Sequence, residues 1–183
     1  MSYDNEMIPT RLSEWIGRMQ EFQLPDWDKL PPLELYMDQV IILLKQYLSP
    51  LYHSEEDKAI TASTINNYVR MKVMPPPVKK KYAREHLAYL IIICLLKQSL
   101  SISCIQSILP SIDKENDVKA VYNHFVAQYH SVCDVFIHAT QNAATPTLSN
   151  QCENFLISCA ILSSLSTGLT EFLLHEKETK PLK

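Results

Sequence analysis

Between Thr61 and Arg84 the chain carries six basic side chains, Arg70, Lys72, Lys79, Lys80, Lys81 and Arg84, and no carboxylate. The protein as a whole has 17 Lys and Arg against 20 Asp and Glu, a net charge of −3. With +6 in this interval, the remaining residues carry −9. A cationic stretch inside an acidic chain suits a polyanion, since each ammonium or guanidinium group can neutralise a phosphate. Lysines also sit in water on ordinary charged loops, so the residues just before them matter. The run Thr61-Ala62-Ser63-Thr64-Ile65-Asn66-Asn67-Tyr68-Val69-Arg70 reads as a short helix with Thr61 as its N-cap. Ile65 and Val69, with Ala62, face inward, and Ser63, Asn66, Asn67 and Arg70 are left outside. Short polar groups on an acid-free helix can donate to phosphates and to base edges in a major groove.

Other constellations carry less. His130, Asp134 and His138 follow at i, i+4 and i+8, a spacing that can gather metal ligands on one helix face. The same helix turns Val118, Tyr122, Phe125, Tyr129, Val132 and Phe136 to its apolar side, so the His-Asp-His stripe reads as a solvated face, and no metal or cofactor is expected. There is no Gly-x-Ser-x-Gly elbow, no His-Glu-x-x-His and no glycine-rich phosphate loop, so the chain is not read as an enzyme. The five cysteines, Cys94, Cys104, Cys133, Cys152 and Cys159, form no Cys-x-x-Cys pair and fall inside apolar helical patterns. They read as reduced packing residues in a reducing compartment, the cytoplasm.

The elements that must hold these residues are helical. Only Gly17 and Gly168 are present, too few for a glycine-turned β-sandwich or a nucleotide-binding α/β fold. Apolar residues at helical spacing predict a helix from Thr10 through Phe22 and another over about Leu33–Leu48, stopped by Pro50. A long helix follows from about Arg84 to Ser99, and a short one capped by Ser101 or Ser103 ends near Leu109. Two long helices, about 114–140 and 150–176, close the chain. Pro25, Pro31 and Pro32 leave Trp27 and Leu30 to anchor a loop, while Pro75, Pro76 and Pro77 make a stiff extended segment. The acidic N-terminus is no signal peptide, Leu87–Leu96 is too short to span a bilayer, and the serine-bearing run Phe155–Leu169 reads as a buried helix rather than a membrane span.

The stretch from Ile60 to Leu109 resembles the winged helix-turn-helix of MerR-type transcription regulators. The matching positions are Thr61, Thr64, Ile65, Asn66 and Tyr68 in the recognition helix, then Val73, Met74 and Pro75 at the corner. Tyr82 and Leu87 follow the wing, and Leu100, Ser101 and Ile105 form the turn after the long helix. Where that family has arginine, this chain has Asn66 in the helix and Lys80 in the wing. Asn67 replaces one of its paired tyrosines, and Lys72 stands where its glycine is usual. The segment LPDWDKLPPLELYMDQVIILLKQYLSPL is also similar to a bacterial family of unknown function.

The resemblance implies an all-α fold: a winged helix-turn-helix with a small β wing near residues 75–83, packed with N-terminal helices and a C-terminal helical hairpin. The implied divisions are 1–37, 38–110 and 111–183. It implies a regulator that binds double-stranded DNA through Ser63, Thr64, Asn66, Asn67, Tyr68, Arg70, Lys72, Lys79, Lys80, Lys81, Tyr82 and Arg84. A homodimer is expected because Cys152, Phe155, Leu156, Cys159, Leu162, Leu169, Phe172 and Leu173 spread apolar surface over much of the last helix. The alternative is a protein-interaction module that keeps the fold without binding DNA.

Overall fold

A computed structural model describes residues 7–51, 60–109, 117–143 and 152–178. Among these residues there are seven α-helices: α1 (Met7–Glu21), α2 (Met37–Leu48), α3 (Ala62–Arg70), α4 (Arg84–Leu96), α5 (Ile102–Ile108), α6 (Val118–Ala143) and α7 (Cys152–Glu178). Short 3-10 turns occupy Trp27–Lys29 and Ser49–Leu51. The described residues form no β-strand; two isolated antiparallel bridges pair Leu35 with Tyr82 and Val78 with Lys81. Among the described residues, no helix is long and apolar enough to cross a membrane.

The chain divides into two compact units. One is Gln23–Tyr129, and the other combines Met1–Phe22 with His130–Lys183. Residues 23–37 lie in the same unit as the α2–α5 helices.

Within Gln23–Tyr129 the core is centred on α4. Every residue of α4 from His86 to Cys94 is buried, so this helix is apolar on all sides and must be surrounded. α2 packs against both α4 and α3, placing Val40, Leu44 and Leu48 in the core. α2 begins at Met37 rather than Leu33. Pro31 and Pro32 disfavour helix just before it, and Leu35 is held extended by two hydrogen bonds: its N–H to the Tyr82 carbonyl (2.9 Å) and the Tyr82 N–H to its own carbonyl (2.8 Å). The Tyr36 N–H then donates to Gln39 Oε1 at 2.9 Å, which caps the new helix. Trp27 and Leu30 are buried as anchors. The Trp27 N–H donates to Asn123 Oδ1 at 3.3 Å, and the Tyr122 hydroxyl donates to the Pro25 carbonyl at 2.7 Å, so the start of α6 closes over this loop.

α5 is capped by Ser101, whose hydroxyl accepts from the Cys104 N–H at 3.3 Å. From α5, Gln106 donates through Nε2 to the Met71 carbonyl, fastening the end of α3.

In the other unit, α1 begins at Met7, so Thr10 lies inside the helix instead of capping it. Pro9 falls in the first turn, where a backbone N–H has no helical partner anyway. α1 buries Ile16 and Met19, and Trp15 meets Phe136 of α6 edge to face at 5.9 Å. The apolar face of α6 differs from expectation. Tyr122, Val126 and Ile137 are buried, whereas Val132 and Val135 are exposed. On α7, a helix expected to need burial on more than one side, Ile161, Leu162, Leu165, Leu169, Phe172 and Leu173 are more than half exposed in the single chain. Of the cysteines whose side chains are described, only Cys94 is fully buried, and burial pushes its thiol up to about 12.

Candidate nucleic-acid interface

α3 starts where Thr61 folds its hydroxyl back to accept from the Thr64 N–H at 3.2 Å, with the Thr64 hydroxyl 2.9 Å away. This satisfies one of the orphan donors of the first turn. The helix ends in a Schellman motif. The Val73 N–H bonds the Tyr68 carbonyl and the Lys72 N–H bonds the Val69 carbonyl, both at 3.0 Å. Lys72 takes φ 57°, the left-handed conformation that glycine adopts most easily. Lysine now stands at the position where the MerR pattern has its glycine.

Ile65 and Tyr68 are the buried residues of α3. Val69 is only half-buried and Ala62 is exposed, so the inward face is set by an i, i+3 pair rather than by Ala62, Ile65 and Val69. The opposite face lines an open depression of about 680 Å³ bounded by Thr61, Ser63, Thr64, Asn66, Asn67 and Arg70. Ser63, Asn66 and Arg70 are exposed there. Arg70 Nη2 donates to Asn67 Oδ1 at 2.6 Å, and Asn67 Nδ2 reaches Met71 Sδ at 3.5 Å. Asn67 thus orients the guanidinium, and Asn66 keeps its amide open to solvent.

After α3 the chain runs through Pro75–Pro77 into a tight turn. The Val78 N–H bonds the Lys81 carbonyl at 3.1 Å, and the Lys81 N–H bonds the Val78 carbonyl at 2.9 Å. The two residues between them, Lys79 and Lys80, have φ 50° and 65°. Two positive φ angles define the type I′ turn that joins antiparallel strands, usually built with Asn-Gly. Here the tip consists of two exposed lysines in a conformation that costs a side-chain-bearing residue about 1 kcal/mol or more. Lys81 is half-exposed and lies 3.4 Å from Glu34.

Three expected contact residues are placed elsewhere. Tyr68 and Tyr82 are buried at 6% and 2% exposure. Burial, with the nearby Cys94 thiol adding to it, pushes the Tyr68 hydroxyl up to about 12; burial also raises that of Tyr82. Their side chains build the core. Arg84 stacks over the Trp27 ring at 5.6 Å, and its Nη1 lies 3.9 Å from Asp28 Oδ1. Lys119 meets the same carboxylate at 3.0 and 3.2 Å. Arg84 therefore spends its guanidinium on the loop that anchors α6.

The sequence reading missed His86. Its ring is buried at the first turn of α4; Nδ1 accepts from the Ala83 N–H at 3.0 Å, and Nε2 lies 3.1 Å from the Pro76 carbonyl. Alanine at the N-cap carries no capping signal, so nothing local singled it out. His130 is half-buried and Asp134 and His138 are exposed. Among the described residues there is no group of three His, Cys, Asp or Glu side chains placed to hold a metal.

One family matches the chain over residues 25–125, described as a domain of unknown function (DUF1836). The match falls within the unit Gln23–Tyr129 that holds α3 and the lysine turn. No curated protein and no solved structure matches the chain.

Proposed function

The chain belongs to the DUF1836 family, and from that premise we propose that its matched unit binds double-stranded DNA as a winged helix-turn-helix and regulates transcription. α3 is the recognition helix and the Val78–Lys81 turn is the tip of the wing. Asn66 and Ser63 read base edges, with Arg70 held alongside by Asn67. Lys72, Lys79 and Lys80 neutralise phosphates. The observation that carries this reading is the acid-free face of α3, exposed and followed within ten residues by three exposed lysines. Two copies associate through the exposed apolar residues of α7, where Leu162, Leu165, Leu169 and Phe172 follow the 3-4-3 spacing of a helix-pairing seam.

The test uses a double variant, Lys79→Asn with Lys80→Gly. Asparagine and glycine suit the two positive φ angles, so the turn is kept while two charges are removed. If about three cations per subunit meet phosphate in a dimer, the parent's log K falls with log salt at a slope of about −5. The variant should fold at least as stably, bind every duplex more weakly and show a flatter slope. A parent that binds no duplex at low salt makes the unit a protein-interaction module instead.

A further inference from the structure

We propose that His86 is the positioning residue of the lysine turn: a two-ended latch that fixes the triproline segment to the start of α4. The role in DNA binding rests on the reading above, but the latch itself does not.

Pro75, Pro76 and Pro77 have no N–H, so this segment can be held by hydrogen bonds only through its carbonyls. The Pro76 carbonyl is taken by His86 Nε2. On the other side of the ring, Nδ1 faces the Ala83 N–H. A backbone N–H can only donate, so Nδ1 must accept. The neutral ring therefore carries its proton on Nε2 and donates it to Pro76. Tyr82 packs edge to face on the same imidazole at 5.6 Å and closes one side of it. The far end of the turn is fixed by the Tyr82–Leu35 bridge. Lys79 and Lys80 thus project from a loop tied at Pro76 on one side and Tyr82 on the other. Without the Pro76 tie, three prolines still stiffen the segment, but among the described residues no other hydrogen bond ties it to α4.

The chain itself supplies the variant that separates the two ends. At the start of α2, Gln39 holds the same place relative to Tyr36 as His86 does to Ala83, and its Oε1 accepts the Tyr36 N–H. His86→Gln can keep this cap while giving up the ring nitrogen that reaches Pro76. Hydrogen exchange is measured at the Val78 and Lys81 amides and at the Leu90 and Ile91 amides inside α4. Loss of one hydrogen bond should speed exchange at Val78 and Lys81 about fivefold, with the α4 amides unchanged. Equal effects at all four amides, or none at the turn, overturn the proposal. The parent protein gives a second readout that needs no variant. Nitrogen-15 spectra of its imidazole should show an unprotonated Nδ1 and a slowly exchanging Nε2–H. A proton on Nδ1, or rapid exchange at Nε2, overturns the latch even if His86→Gln fails to fold. Where the parent binds duplex DNA, His86→Gln should flatten the salt slope towards that of the Lys79→Asn, Lys80→Gly variant; an unchanged slope refutes the positioning role. A parent that binds no DNA sinks the DNA reading alone, and the exchange and nitrogen-15 results still decide the latch.

Discussion

Three lysines sit in backbone conformations that favour glycine or asparagine: Lys72, Lys79 and Lys80. A left-handed φ brings Cβ against the neighbouring carbonyl, a cost that glycine avoids. Lys72→Gly should therefore raise unfolding free energy by about 0.5–1 kcal/mol, after allowance for the greater entropy of glycine in the unfolded chain. Lys72→Val should lower it by more than that. Urea denaturation midpoints at constant m-value check both. That a chain keeps lysine at all three positions fits a use for the charge, and the same variant read by DNA titration should weaken binding to all sequences alike. Buried acids give a second prediction at this scale. Cys94 and Tyr68 are held protonated up to about 12 in the folded protein, against ordinary values of 9.0 and 10.0. Burial also raises the Tyr122 hydroxyl, with lesser contributions from Tyr47 and Asp26. The folded state holds these protons more tightly, so this stability is fully present below pH 9 and is lost as pH rises towards 12. Each group that ionises only on unfolding removes about 1.4 kcal/mol per pH unit within its window. Stability measured from pH 7 to 11 should fall above pH 9, and Cys94→Ala should delay the fall's onset.

At the scale of elements, α3 is short, nine residues, and owes its existence to its ends and to its inward face. A helix of this length is not stable by propensity alone. Thr61→Ala removes the hydroxyl that accepts the Thr64 N–H and should cost about 1 kcal/mol. The loss should appear as faster hydrogen exchange confined to the first turn of α3. Asn66→Ala leaves the helix intact because the side chain is exposed. Its effect should be relaxed preference at one base pair, about 1–3 kcal/mol if a bidentate adenine contact is lost, read by selection from a random duplex library. Helix limits near caps and prolines were legible from sequence: Thr61, Ser101 and the stop before Pro50 act over three or four residues. The starts of α1 and α2 were less so. α1 runs three residues beyond its apparent cap, and α2 is shortened because Leu35 pairs with a residue 47 positions away.

For the whole molecule the prediction concerns association. The last two helices leave Val132, Val135, Leu165, Leu169 and Phe172 exposed, and large apolar side chains left open in this number favour association. Sedimentation equilibrium at tens of micromolar should give twice the 21.0 kDa chain mass. Leu165→Glu with Leu169→Glu should give a single-chain mass with helix content retained. A monomeric parent would remove the two-fold symmetry through which a dimer reads two half-sites one helical turn apart. The DNA affinity would then be that of one module.

By itself the sequence determined the helical class, most helix limits, and the acid-free basic stretch with its polar helix face. All of these are local: a 3.6-residue apolar period, a cap, a proline or a run of charge is complete within a dozen residues. The tertiary structure decided which of those side chains remain available. Tyr68 and Tyr82 match a site pattern yet lie in the core, because α4 is apolar on every side and must be covered by neighbours on all of them. Arg84 counts as a cation in the sequence, but Trp27 and Asp28, more than fifty positions away, take its guanidinium. α7 looks ready for burial, yet its apolar residues from Ile161 to Leu173 are left exposed in the single chain. Which of two apolar surfaces finds a partner depends on what lies across the gap, and no local pattern encodes that.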